Sequence, residues 1–173
     1  ELLMGVTPDE VKQIYVNHHD ANSILMVIDK SASFFYFIDG GEQLISLPVG
    51  YEDISARFFR HTPPTPDDIE YAINYIEDEI EKVVPKIPHT FVLCSADDFI
   101  RQIGELCGIE DLPLPTLPRD QLEELFGQYA EISMGRPPRS HETDVTPRFY
   151  ARLLILREFM HHLKFPHIKF MTT

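Results

Sequence analysis

Residues 24–58 read ILMVIDKSASFFYFIDGGEQLISLPVGYEDISARF, and the fold turns on how this stretch divides. One apolar run ends at Asp29, a second covers Phe34–Ile38, and Asp39-Gly40-Gly41-Glu42 reverses the chain into a third. Glycine and aspartate between apolar runs signal hairpins, because a tight turn between paired strands needs positive φ. The stretch predicts a three-stranded antiparallel meander, then Ser46-Leu47-Pro48-Val49-Gly50, then a helix ending near Arg57-Phe58. The first turn, Asp29-Lys30-Ser31-Ala32-Ser33, has no glycine at all.

Working outward, Thr7-Pro8-Asp9-Glu10 carries an N-cap, a first-turn proline and a capping-box acid, so a short helix to about Asn17 precedes the first strand, Ser23–Ile28. Thr65-Pro66-Asp67-Asp68 repeats that signal. It opens a long helix whose Ile69, Ile73, Ile76, Ile80 and Val83-Val84 follow the 3.6 period. Glu70, Glu77, Asp78 and Glu81 lie opposite and read as a solvated face. Thr90–Cys94 is a buried strand, and Ser95-Ala96-Asp97-Asp98 starts a helix with Phe99, Ile100, Ile103 and Leu106 on one face, closed by Gly108. Residues 109–118 read as a Leu/Pro connector, 119–132 as an amphipathic helix, and 133–143 as a mobile Pro/Gly/Arg loop. Thr146-Pro147 opens a last helix to about Leu163, and His167–Met171 is a closing strand. A meander followed by α-β-α-β is the order of a ribonuclease-H-like half. The expected architecture is α/β with a mixed five-stranded sheet, and residues 1–173 form a single domain.

The chain has 173 residues, 43% of them hydrophobic, enough for a sizeable core. Its formal net charge of −13 argues against nucleic acid and anionic membrane as partners, since both call for a basic patch. No apolar run approaches the ~18–20 residues of a membrane span. Cys94 and Cys107 make no disulfide framework and read as buried thiols.

The meander and its flanks resemble the exopolyphosphatase / guanosine pentaphosphate phosphohydrolase (Ppx/GppA) family of the actin/hexokinase-like superfamily. The shared features are Ser46-Leu47-Pro48-Val49-Gly50, the Asp53-Ile54-Ser55-Ala56-Arg57-Phe58 helix, Glu1-Leu2-Leu3-Met4-Gly5-Val6 and Asp144-Val145-Thr146-Pro147. The resemblance runs through nearly the whole chain in order and spacing, yet begins and ends in mid-motif. It implies the second lobe of a longer two-lobed protein, an actin-like ATPase fold, and a bacterial, cytoplasmic setting. The missing N-terminal lobe is one implied partner; a phosphate-containing ligand and a second copy of the chain are the others.

The resemblance also says where a site should be and what has become of it. The family's hairpin reads Asp-Ile-Gly-Gly-Gly-Ser-Thr-Glu; here Lys30, Ser31, Ala32 and Ser33 replace Ile-Gly-Gly-Gly, and Tyr36 stands at the Glu. Glycine lets main-chain N–H groups close on an anion without a Cβ in the way. A phenol with a pKa near ~10 cannot replace a carboxylate at neutral pH. The second glycine-rich loop falls on Leu93-Cys94-Ser95-Ala96-Asp97, where Asp97 would repel phosphate. In the third motif the glycine after Pro147 is Arg148 or Phe149, and Glu142 stands at the usual arginine. Three altered loops point to an inactive site.

The phosphate-loop candidates are Asp29, Lys30, Ser31, Ser33 and Ser95. Asp29 is either a Mg²⁺ holder acting through water or a turn-former whose side chain accepts the backbone N–H two residues on. Lys30 with Ser31 and Ser33 either rebuilds an anion site from side chains or is a polar hairpin tip. Glu1 falls near the family's catalytic base. His18-His19, His161-His162 and His167 suit loop and helix-end positions. Adjacent helical histidines point about 100° apart, so neither pair suits one metal, for which i, i+4 spacing is the pattern. His141-Glu142-Thr143-Asp144 lacks a partner motif. Two readings remain open: a degenerate, non-hydrolytic domain serving as scaffold, ligand sensor or interaction module, and a Mg²⁺-dependent hydrolase of polyphosphate or guanosine pentaphosphate.

Overall fold

The computed structural model describes residues 5–18, 22–109 and 115–171. Helix α1 (Pro8–His18) leads into strands β1 (Ser23–Ile28), β2 (Ser33–Phe37) and β3 (Gln43–Leu47), and helices α2 (Tyr51–Phe58) and α3 (Pro66–Glu81) follow. Beyond a one-turn 3₁₀ segment come β4 (Val92–Ser95), α4 (Asp98–Leu106), β5 (Thr116–Pro118), α5 (Arg119–Ser133), α6 (Pro147–His162) and β6 (His167–Phe170).

The helix starts obey the capping chemistry read from sequence. Thr7 and Glu10 exchange backbone-to-side-chain bonds of 3.1 and 3.2 Å. Thr65 and Asp68 close a full capping box at 3.1 Å each way. Thr146 Oγ1 accepts the Phe149 N–H at 3.2 Å. Each device satisfies donors that a first helical turn leaves open.

The strands form one mixed sheet in the order β3-β2-β1-β4-β6-β5. The meander is antiparallel, with Leu25 opposite Tyr36 and Ile28 opposite Ser33. Strands β1, β4 and β6 run parallel. This is the actin-like, ribonuclease-H-like architecture expected, with one correction: the sheet has six strands rather than five. Strand β5 lies inside the segment read as a connector and pairs antiparallel with β6 through Thr116, Leu117 and Pro118. Three residues ending in proline leave no period-2 signal, and proline is tolerated there because the strand is an edge.

All six residues of β1 are buried, because helices cover both faces of the sheet at its centre. Ile24, Met26 and Ile28 join Phe35, Leu47 and Leu93 in the main core beneath α2–α6. Leu25, Val27, Tyr36 and Cys94 face the other way and pack on Val11 and Tyr15 of α1. Helix α6 is buried nearly all round, from Tyr150 to Met160. The loop after α5, expected to be mobile, is pinned. Glu142, 2% exposed, accepts two bonds from Arg136 at 3.0 and 2.8 Å and one from the Arg139 N–H. Its carboxyl is held down at about 2, chiefly by the Arg136 bonds. No helix among the described residues is long and apolar enough to cross a membrane.

Candidate functional site

Parallel neighbours β1 and β4 part at their carboxyl ends. The first turns back into β2, and the second runs on into α4. Such a divergence opens a crevice, which is where ligands bind in open α/β sheets. Here the crevice is a cavity of about 280 Å³ lined by Asp29, Tyr51, Asp97, Asp98, Gln102 and Arg152, among others. Asp29 also borders a second hollow of about 240 Å³, whose wall includes Lys30, Ser31, Ala32, Phe34 and Glu52.

The hairpin between these hollows is bonded the wrong way round for an anion. Asp29 O accepts the Tyr51 N–H at 3.1 Å, and Lys30 O accepts the N–H groups of Glu52 and Asp53 at 3.0 and 3.3 Å. The N-terminus of α2 has no side-chain cap, and these two carbonyls take its place. Free N–H groups at a helix start are natural anion ligands, and here the hairpin has consumed them. Gly50 makes the approach achievable, since a Cβ there would collide with the Lys30 carbonyl and the Ser31 nitrogen. Ser31 Oγ donates to Asp53 at 3.1 Å, and Ser33 Oγ, fully buried, donates to the Val49 carbonyl at 2.5 Å.

Asp29 is engaged as well. Its Oδ2 accepts the Val6 N–H, and Gly5 leaves the room for that contact. Its side chain reaches a residue 23 positions earlier, and the turn itself is closed by the main chain, with the Asp29 N–H donating to Ala32 O at 2.9 Å. Ser95, 1% exposed, accepts the Asp97 N–H at 3.1 Å. Asp97, N-cap of α4, turns its carboxylate across to the Ile28 N–H at 3.0 Å. Burial, aided by the charges of Asp29 and Asp98, pushes Asp97 up to about 7 against the pull of the Ile28 bond and Arg152. The Arg152 guanidinium stacks on Tyr51 at 4.2 Å and Phe99 at 5.0 Å, and its buried Nε has no hydrogen-bond partner among the described residues.

Of the predicted site residues, then, the structure brings Asp29 and Lys30 with Ser31 to the cleft margins, and it withdraws Ser33 and Ser95 into internal bonds. Tyr36 is elsewhere. It pairs with Leu25, four residues or about 13 Å back along β1 from Asp29, on the α1 face. There it donates to Glu42 at 2.5 Å and meets the Tyr15 ring edge-on, and burial with the Glu42 bond lifts its phenol to about 12. Glu1 and His19 lie outside the described residues. Sequence reading missed Arg152 and the Asp97–Ile28 bond, because partners 69 positions apart leave no local pattern.

The arrangement does not fit a Mg²⁺–phosphate pair. Mg²⁺ takes one or two carboxylates and leaves its remaining positions to water and phosphate oxygens. Asp29 gives its Oδ2 to the Val6 N–H, and Asp97 and Asp98 put two further acids into the same cleft, which a phosphate there would have to face.

No protein-family model and no curated protein sequence matches the chain. Its fold does match solved structures. The Ppx/GppA phosphatase of Aquifex aeolicus, type II variant, aligns at TM-score 0.67 and 18% identity, over 86% of this chain and 52% of that one. An exopolyphosphatase from Cytophaga hutchinsonii aligns at TM-score 0.68 and 15% identity, over 94% and 56%. An exopolyphosphatase-like protein aligns at TM-score 0.67 and 9% identity, over 86% and 53%. At these identities the likeness is one of fold, and the chain spans about half the length of these structures.

Proposed function

We propose that this chain is a non-hydrolytic half of a Ppx/GppA-like protein, kept as an interaction scaffold in a bacterial cytoplasm. Its first partner is the other lobe of the same protein, and a second copy of the chain is a further candidate. One observation carries the reading: the hairpin that would cradle phosphate spends its carbonyls on the α2 N-terminus and its serine hydroxyls on Asp53 and Val49. Core residues and site residues are largely separate, so the sheet can outlast the chemistry. Calorimetric titration of polyphosphate into the full-length protein with Mg²⁺ tests this, with no saturable binding expected. Saturable binding that Asp29→Ala or Arg152→Ala removes would overturn it.

A second reading, Mg²⁺-dependent hydrolysis of polyphosphate or guanosine pentaphosphate, draws on Asp29 and Asp97 sharing one cleft. It requires Mg²⁺ to be held through the other Asp29 oxygen, and donors for phosphate from the other lobe.

A further inference from the structure

Helix α3 was read as carrying a solvated acidic face, and Glu70, Asp78 and Glu81 are indeed exposed. Glu77 is the exception. It is half-buried and turns to α6, where its carboxylate lies 2.8 Å from His162 Nε2. The same nitrogen lies 3.1 Å from Glu158 Oε1, one helical turn earlier on α6. A single Nε2–H cannot donate well to two carboxylates. The three ligand atoms nevertheless converge within 4.8 Å of one another. The i, i+4 spacing places Glu158 and His162 on one stripe, and the third ligand comes from the neighbouring helix.

We propose that Glu77, Glu158 and His162 form a divalent transition-metal site, suited to Zn²⁺, that clamps α3 to α6. Three independent features support it beyond the convergence. Glu158 is 1% exposed, a depth at which a carboxylate needs compensation. Its Oε2 is fixed by Arg157 at 2.6 Å, and Arg157 is in turn held by both oxygens of Glu123 at 3.0 and 3.2 Å. This leaves Oε1 oriented toward the cluster, as an outer shell orients a metal ligand. Finally, the Glu77 and His162 side chains remain 36% and 31% exposed, which gives a metal a path from solvent. An imidazole with two carboxylates is a borderline donor set that favours Zn²⁺ over Mg²⁺.

The test is thermal unfolding of the full-length protein across a Zn²⁺ titration, with Mg²⁺ as the parallel ion, for wild type, Glu77→Gln and His162→Gln. Visible absorption on adding Co²⁺ serves as a second readout. The expected result is a Tm that rises with Zn²⁺ but not with Mg²⁺, low-symmetry Co²⁺ bands, and loss of both signals in either variant. Glu77 is half-buried, so its variant keeps the test valid should His162→Gln fail to fold. A wild type that Zn²⁺ does not shift, or a shift that survives in Glu77→Gln, would overturn the site and leave the cluster as a histidine bridging two carboxylates.

Discussion

Gly50 is required by proximity rather than by turn geometry, for its φ of −136° suits any residue. Gly50→Ala would drive a Cβ into the Lys30 carbonyl and prise the hairpin from α2. The expected cost is about 1–3 kcal/mol by chemical denaturation, in the range of overpacked sites. Asp97 makes a pH-dependent prediction. Its unfolded carboxyl ionises near the ordinary ~3.9, but the folded one does so near about 7. Between those values the native state binds more protons than the unfolded state, so stability falls as pH rises, and it levels off above the folded value. Asp97→Asn keeps an acceptor for Ile28 and loses the ionisation. Its stability relative to wild type should therefore climb from pH 4 to 7 and then stay flat in pH-resolved urea melts. At this scale the sequence was half legible: the absence of glycine from residues 30–33 announced a changed loop, but not that α2 would occupy it.

Elements were the most legible level, because each is written in local chemistry. The Thr65 capping box, the isoleucine period of α3 and the Gly40-Gly41 turn, with φ of 82° and 110°, all appear where spacing predicts them. Thr65→Ala should cost about 1 kcal/mol in the same melts, the usual worth of an N-cap. Ile76, fully buried between α3 and the core, should cost about 2–5 kcal/mol on truncation to alanine. What escaped were features held by distant partners. Strand β5 exists because β6 offers it an edge, and the loop after α5 is fixed by the Arg136–Glu142 pair rather than by its composition. Glu142 is depressed to about 2 in the fold, so its contribution is complete above the ordinary carboxylate range and is lost as pH falls through about 2. Replacing it with Gln should flatten the acid limb of the stability profile and open the loop to proteolysis.

For the molecule as a whole, the sheet is covered on both faces by helices, and the crevice at its parallel strand ends is acidic and internally bonded. The meander followed by helix–strand units was readable from the alternation of turn signals with helical periods, but the sixth strand, β5 at the sheet edge, was not. The state of the crevice was only partly readable, because it depends on which way main-chain groups point, and residue type does not encode that directly. The proposal to be tested is that this chain supports no phosphoanhydride hydrolysis. The most direct test is phosphate release from polyphosphate and guanosine pentaphosphate by the full-length protein with Mg²⁺, beside Asp29→Ala. The account predicts release no greater than a protein-free control from a preparation shown to be folded. Turnover by wild type that vanishes in Asp29→Ala would contradict it, and would mean the site had been rebuilt on donors other than glycine N–H groups.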